Sequence, residues 1–293
     1  MQNLETVAVV LGTYNGEKYL DVQLDSILKQ KDVKVELFIR DDGSVDNTME
    51  ILNKYESEYE NVHIYNGGKT ENRGIKWGYL DNLRWALNYS EEIKYFAFAD
   101  QDDYWLPEKL ISAVKKLPLN MDNGSIYYSN KTIVDDDLNF IRNEDFTFYN
   151  NFSDFFFVSK AYGCTMVIDR ILADLSVRFI SKESLYHDDW IHRLSICLNA
   201  KQVFDENSYI LYRQHGDNEM GSKATEERSL LYLINGTFKY FCSGGNHNRS
   251  KLAKDIYDNY SDKISENEKV NINMLLNYKN DIRTKWKMFF FND

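Results

Sequence analysis

The chain of 293 residues is 43% hydrophobic and 28% charged, which fits one large globular domain or one domain with an appendage. Its formal net charge of -11 excludes a general nucleic-acid binder, because phosphate backbones reward clustered Lys and Arg. A nucleotide ligand stays open, since a bound cation reverses the local sign.

Strand-like and helix-like patterns alternate through the first hundred residues. TVAVVLGTY (6–14) is a β-branched apolar run, which predicts a buried strand. GEKYLDVQLDSILKQ follows with Tyr19, Leu20, Leu24, Ile27 and Leu28 at helical spacing. VKVELFIRDDGS predicts a second strand. The next helix carries Met49, Ile51, Leu52 and Tyr55 as its apolar stripe, with Asp46 as its N-cap. NVHIYNG is a short third strand, IKWGYLDNLRWALNYS a helix and IKYFAFAD a fourth strand. This order implies a parallel sheet with right-handed crossovers, and ligands of such sheets sit beyond the carboxyl ends of the strands. GTYNG, RDDGS and ADQDD all fall at such ends.

Beyond residue 107 the pattern loosens. PEKLISAVKKL predicts a helix opened by Pro107, and SIYYSNKTIVD a strand. An aromatic-rich stretch leads through a Gly-Cys-Thr turn to a short strand and a helix. ESLYHDDWIHRLSICLNA is a helix behind a charged entry, and KQVFDENSYILYRQHGDN gives one or two strands. After about Gly221 strand signals vanish and the tail reads as helical, behind a loop around HGDNEMGSKATEE. Cys164, Cys197 and Cys242 form no metal-type pair and suit a reducing compartment. No basic region precedes a long apolar segment at the start, and no run reaches the roughly 20 apolar residues of a membrane span. A cytoplasmic protein is expected.

FADQDDYW gathers Asp100, Asp102 and Asp103 at one strand end. Such carboxylates suit a hard cation, Mg²⁺ or Mn²⁺, that keeps phosphate oxygens from a substrate. A solvated Asp-rich turn capping the next helix is the plainer alternative. Thr13 and Tyr14 could line a base pocket, and Asp42 could accept from a base N–H or a sugar hydroxyl. In YHDDW, Asp188 or Asp189 could act as a general base; a helix cap with a first-turn acid is the alternative. In YRQHGDN, Arg213 suits a phosphate and His215 a metal.

Together, TYNG, DDGS-x-DNT, ENRG, D-x-DD followed by Trp, HDDW and YRQHGDN resemble the family 2 glycosyltransferases, closest in style to bacterial rhamnosyltransferases. The resemblance spans about residues 5–220. It implies an α/β GT-A fold, Rossmann-like and nucleotide-binding, with a mixed, mostly parallel sheet between helices. Residues 1–222 would form the inverting catalytic domain and 223–293 a helical extension. By this likeness Thr13, Tyr14, Asn15, Asp42, Asn72, Lys76, Asp100 and Arg213 would hold the nucleotide-sugar. Asp102 and His215 would hold Mn²⁺ or Mg²⁺. Asp188 would be the base, with Asp189 as alternative. Gly163, Cys164, Thr165 and Trp190 would border the acceptor, although the surroundings of Cys164 read as apolar. The donor implied is dTDP-rhamnose or a UDP-sugar, and the acceptor a lipid-linked saccharide of the bacterial surface.

NYKNDIRTKWKMFFFND mixes Lys279, Arg283, Lys285 and Lys287 with Trp286, Met288 and Phe289. It suits an anionic membrane surface, or a helix docked on the catalytic domain or on a second subunit as in a homodimer. Two other function classes compete. A nucleotide-sugar pyrophosphorylase would carry a Gly-rich phosphate loop, which GTYNGEKYL lacks. A non-catalytic sugar-binding protein would not need both DQDD and HDDW.

Overall fold

The structure, a computed structural model, describes residues 4–68, 72–144, 161–215 and 247–277. Among these, one nine-stranded sheet runs in the order β3-β2-β1-β4-β8-β6-β9-β5, with β7 paired to β6. The strands are β1 (Thr6–Thr13), β2 (Lys34–Asp41), β3 (Val62–Ile64), β4 (Tyr95–Ala99), β5 (Tyr104–Trp105), β6 (Ser125–Val134), β7 (Phe140–Glu144), β8 (Val167–Asp169) and β9 (Lys201–Arg213). The first four pair in parallel, as alternating strands and helices require. β8 then joins β4 and β6 antiparallel, and β9 lies parallel to β6. The sheet is mixed, and the sequence did not show β5 or β7.

Helices cover both faces. Val7, Val9 and Leu11 of β1 face the layer of α1 (Leu20–Leu28), α2 (Thr48–Glu58) and α4 (Lys109–Lys116). Ala8 and Val10 face the layer of α3 (Ile75–Tyr89), α5 (Arg170–Arg178) and α6 (His187–Cys197). Strands buried on two faces must be apolar throughout rather than alternating, and Val7 to Leu11 are fully buried. The expected boundary at 222 lies outside the described residues. The tail is helical as expected: α7 (His247–Tyr260) and α8 (Glu266–Asn277) bury Leu252, Ile256, Tyr260, Ile272 and Leu275 in the same cluster as α3 and α6. The basic-aromatic segment from 278 onward is also outside the described residues.

The expected cap of α2 is displaced. Asp46 stands two residues before Thr48, where its Oδ1 accepts the Thr48 N–H (3.0 Å) and its Oδ2 the Glu17 N–H (3.2 Å). It thereby fastens the β1 loop to α2.

Burial gives α6 a pH signature. His192 is fully buried, which, with the Arg193 charge beside it, holds its pKa down from 6.5 to about 3. Below pH 6.5 the unfolded chain takes up a proton that the folded protein refuses until about pH 3, so acid destabilises the fold across that window. His192→Gln removes this uptake. Its unfolding free energy should fall less steeply between pH 6 and pH 4, by up to ~1.4 kcal/mol per pH unit, in urea titrations beside the wild type. Parallel slopes would mean that His192 titrates alike in both states.

Candidate active site

The carboxyl ends of β1, β2 and β4 meet at one edge of the sheet. Gln101 ties two of them together: its Oε1 accepts from Thr13 Oγ1 (2.7 Å) and the Tyr14 N–H (2.9 Å), and its Nε2 donates to the Tyr14 carbonyl (3.1 Å). This glutamine was missed in the sequence, although it stands inside D-Q-D-D. Asn15 adopts φ 49°, a left-handed conformation that Asn tolerates, and its Oδ1 accepts the Val45 N–H (2.9 Å). The two acids of DDGS separate by role. Asp41 is buried and shapes its turn by accepting the N–H groups of Gly43 (3.0 Å) and Ser44 (2.8 Å). Asp42 pairs with Arg40 (3.0 Å) and keeps 15% of its side chain exposed. Tyr14 is half exposed.

The remaining donor-side candidates are engaged with the fold. Asn72 is exposed and closes a turn on the Gly74 N–H (2.9 Å). Lys76 is buried, with its ammonium on the carbonyls of Ser181 (3.0 Å) and Ser184 (2.7 Å). Arg213 is also buried. It donates to the carbonyls of Asp102 (2.8 Å) and Asp136, and its guanidinium lies 4.6 Å from the Tyr19 ring.

Three carboxylates follow β4. The Tyr79 hydroxyl lies 2.7 Å from the Ala99 carbonyl and 2.8 Å from Asp100 Oδ1. Burial, reinforced by the Asp102 charge, pushes Asp100 up to about 7. Asp102 Oδ2 meets His215 Nε2 at 2.8 Å, which brings together two residues that lie on separate loops. Asp103 is fully buried; its Oδ1 accepts the Arg213 N–H (3.2 Å), while its Oδ2 has no hydrogen-bond partner among the described residues. Burial, then the charges of Asp102 and Asp100, hold its carboxyl well above the usual range. Cys164 Sγ and carboxylate oxygens of Asp100 and Asp103 all lie within 4.8 Å of one another. Cys164 is packed in the apolar core as expected, but its thiol also meets two acids, which the sequence did not show. Burial pushes its thiol up, which keeps the proton on sulfur, so it is no partner for a hard cation. The carboxylates with their orphaned oxygen, and His215, fit one.

Asp188 stands in the first turn of α6. Its Oδ2 accepts the Gly163 N–H (3.0 Å), its Oδ1 accepts the Asp189 N–H (2.7 Å), and its charge is felt by Asp100. Asp189 Oδ1 instead accepts from Arg193 (2.8 Å) and Arg249 (3.4 Å). Burial alone would raise Asp189, but the two guanidinium groups outweigh it and hold the carboxyl below its usual range. Asp189 is committed, whereas Asp188 shows no cationic partner among the described residues. Two acceptor-side expectations change. Trp190 is fully buried with its indole N–H on the Ser176 carbonyl (2.8 Å), and Thr165 is buried on the Tyr162 carbonyl (3.0 Å). Neither reaches solvent. The turn from Gly163 to Thr165 aims the Asp188 carboxylate.

Gly163 is required by close approach: a Cβ there would lie 2.5 Å from His187 Nε2. The His187 ring is buried and stacked on Tyr79 at 3.9 Å, so it has nowhere to go. Gly163→Ala should displace the amide that holds Asp188 and lower kcat by about 10- to 100-fold, with donor affinity unchanged. Steady-state kinetics beside a donor titration would show the split. Unchanged kcat would deny the turn this role.

The pattern of the family described as Glycosyl transferase family 2 matches residues 8–175, the segment from within β1 through β8 into α5. The chain is a family 2 glycosyltransferase. This transferase is 31% identical to the dTDP-rhamnosyl transferase RfbG of Shigella flexneri over 235 residues, 72% of this chain and 74% of that protein. It is 24% identical to the UDP-Glc:alpha-D-GlcNAc-diphosphoundecaprenol beta-1,3-glucosyltransferase WfaP of Escherichia coli, over 76% of this chain and 83% of that one. Among solved structures it resembles S. aureus TarS 1-349 in complex with UDP, with a TM-score of 0.58 at 17% identity, covering 96% of this chain and 74% of that one. It also resembles the mannosyltransferase PcManGT of Pyrobaculum calidifontis with GDP-Man and Mn2+, with a TM-score of 0.51 at 15% identity, covering 98% and 73%. The transferase thus has the GT-A fold, with C-terminal helices added. Among its described residues no helix is long and apolar enough to cross a membrane.

Proposed function

We propose that this enzyme transfers L-rhamnose from dTDP-rhamnose, with inversion, to a lipid-linked saccharide of a bacterial surface polysaccharide. The observation that carries the chemistry is Asp188, held by two N–H groups near Asp100 and without the cations that occupy Asp189. Its carboxylate takes the proton of the acceptor hydroxyl as that oxygen bonds the anomeric carbon. The bond from that carbon to the diphosphate breaks on the opposite face. Thr13, Tyr14, Asn15 and Asp42 form the nucleotide end, with Gln101 fixing the first two. Asp102 and His215 would hold Mn²⁺ or Mg²⁺, which when bound neutralises the departing diphosphate. Arg213 and Asp103 keep that loop in place. The donor reading rests on the likeness to a dTDP-rhamnosyl transferase. A UDP-hexose is the second reading, favoured by the glucosyltransferase relative.

Work on a lipid-linked acceptor would place the enzyme at the inner face of the cell membrane. Thermal shift against dTDP, UDP and GDP, each with and without Mn²⁺, tests the donor. The largest shift should come from dTDP with Mn²⁺. A larger shift from UDP would favour the second reading, and binding without transfer to any acceptor would favour a non-catalytic protein.

A further inference from the structure

The contacts of α7 converge on the segment that delivers Asp188. Tyr260 donates to the Leu175 carbonyl (2.7 Å) and accepts the Phe179 N–H (3.2 Å). Asp255 accepts from Ser181 (2.6 Å), and Lys251 lies 3.8 Å from Glu183. Arg249 reaches Asp189 itself, at 3.4 Å. From the other side, Lys76 of α3 grips the carbonyls of Ser181 and Ser184. The run from Leu175 to Asp189 is thus held at its start, middle and end by a helix lying some 60 residues further along the chain (the separation of Arg249 from Asp189).

We propose that α7 is a brace for the base-bearing turn and that Arg249 is a positioning residue for the transfer step. The proposal rests on Asp188 being the base. Asp189 donates its N–H to Asp188 Oδ1, so whatever fixes Asp189 also fixes the direction of the Asp188 carboxylate. Arg249 and Arg193 do so from two elements, with their charges on the neighbouring carboxylate. The groups facing the pair are His187 and His192 on α6, Lys76 on α3, Asp100 after β4 and Tyr162 before the Gly163 turn. Without Arg249, Asp189 keeps more uncompensated negative charge beside the base, and that charge should show in the pH dependence of transfer.

The experiment compares Arg249→Met, Arg249→Lys and Asp255→Asn with the wild-type full chain. Transfer rates are measured across pH, and binding by thermal shift with Mn²⁺ and dTDP or UDP. Arg249→Met should lose about tenfold in kcat with unchanged binding, and the acid limb of its kcat profile should move to higher pH. Arg249→Lys should restore most of the rate. Asp255→Asn, which loosens the brace away from the charge pair, should lower kcat without moving the limb. Wild-type kcat in Arg249→Met would overturn the brace, as would a loss with an unmoved limb and no rescue by Lys. Asp188→Asn, measured beside them, separates the two ideas: if it still transfers, the base assignment fails whatever Arg249 does.

Discussion

Asp188→Asn should lower transfer by about 10²- to 10⁴-fold while leaving nucleotide-diphosphate binding intact, the range expected when a general base is removed. The side chain keeps its shape and can still accept the Gly163 N–H, so the turn should survive. What is lost is the basicity needed on the way to the transition state. Asp189→Asn should behave in the opposite manner. It weakens a buried carboxylate–guanidinium cluster, and breaking such a pair destabilises a fold by about 3–5 kcal/mol. Its damage should therefore show first in thermal unfolding and less in the chemistry of the surviving protein. Rate and melting temperature measured on both variants decide the matter. Full transfer by Asp188→Asn with a dead Asp189→Asn would move the base by one residue.

Asp102→Asn should remove most activity at limiting Mn²⁺, on the order of 100-fold, and recover part of it at millimolar metal. The change takes away one anionic oxygen and the partner of His215, while the Asp102 carbonyl still receives Arg213. Loop geometry should hold while metal affinity falls, because hard cations bind carboxylates far better than amides. Metal titrations of activity and of donor binding give the measurement. Normal turnover at limiting Mn²⁺ would shift the metal to Asp100 and Asp103.

The four parallel strands and the helices between them were legible because local pattern decides them: β1 is an unbroken apolar run, and α3 has a clear stripe. β5 escaped because two residues, Tyr104 and Trp105, carry no period. β7 escaped because its side chains are mostly exposed and so lack the alternation of a half-buried strand. In the site, sequence motifs marked Asp42, Asp102, Asp188 and His215. Its supports were hidden. Gln101 meets Tyr14 across 87 residues, Gly163 meets Asp188 across 25, and Arg249 meets Asp189 across 60. Pairing over such distances is decided by the fold, and no local spacing encodes it. Trp190 shows the converse: it adjoins the motif in sequence, yet its ring is packed in the core with its N–H on the Ser176 carbonyl.

The strand order has a consequence for synthesis on the ribosome. Strands β1 to β4 and their helices need only chain already made, and they can pair as they emerge. β6 can pair with β7 at once, but it reaches the first four strands only through β8, its long ladder with β9 comes later, and the layer of α3 and α6 waits longer still for Leu252 and Ile256 of α7. A partly made chain therefore holds the edge formed by β1, β2 and β4 with an uncovered apolar flank, and slow nonlocal pairing prolongs that exposure. His215 and Arg249 arrive among the last parts, so a half-made chain lacks both the partner of Asp102 and the outer guanidinium on Asp189.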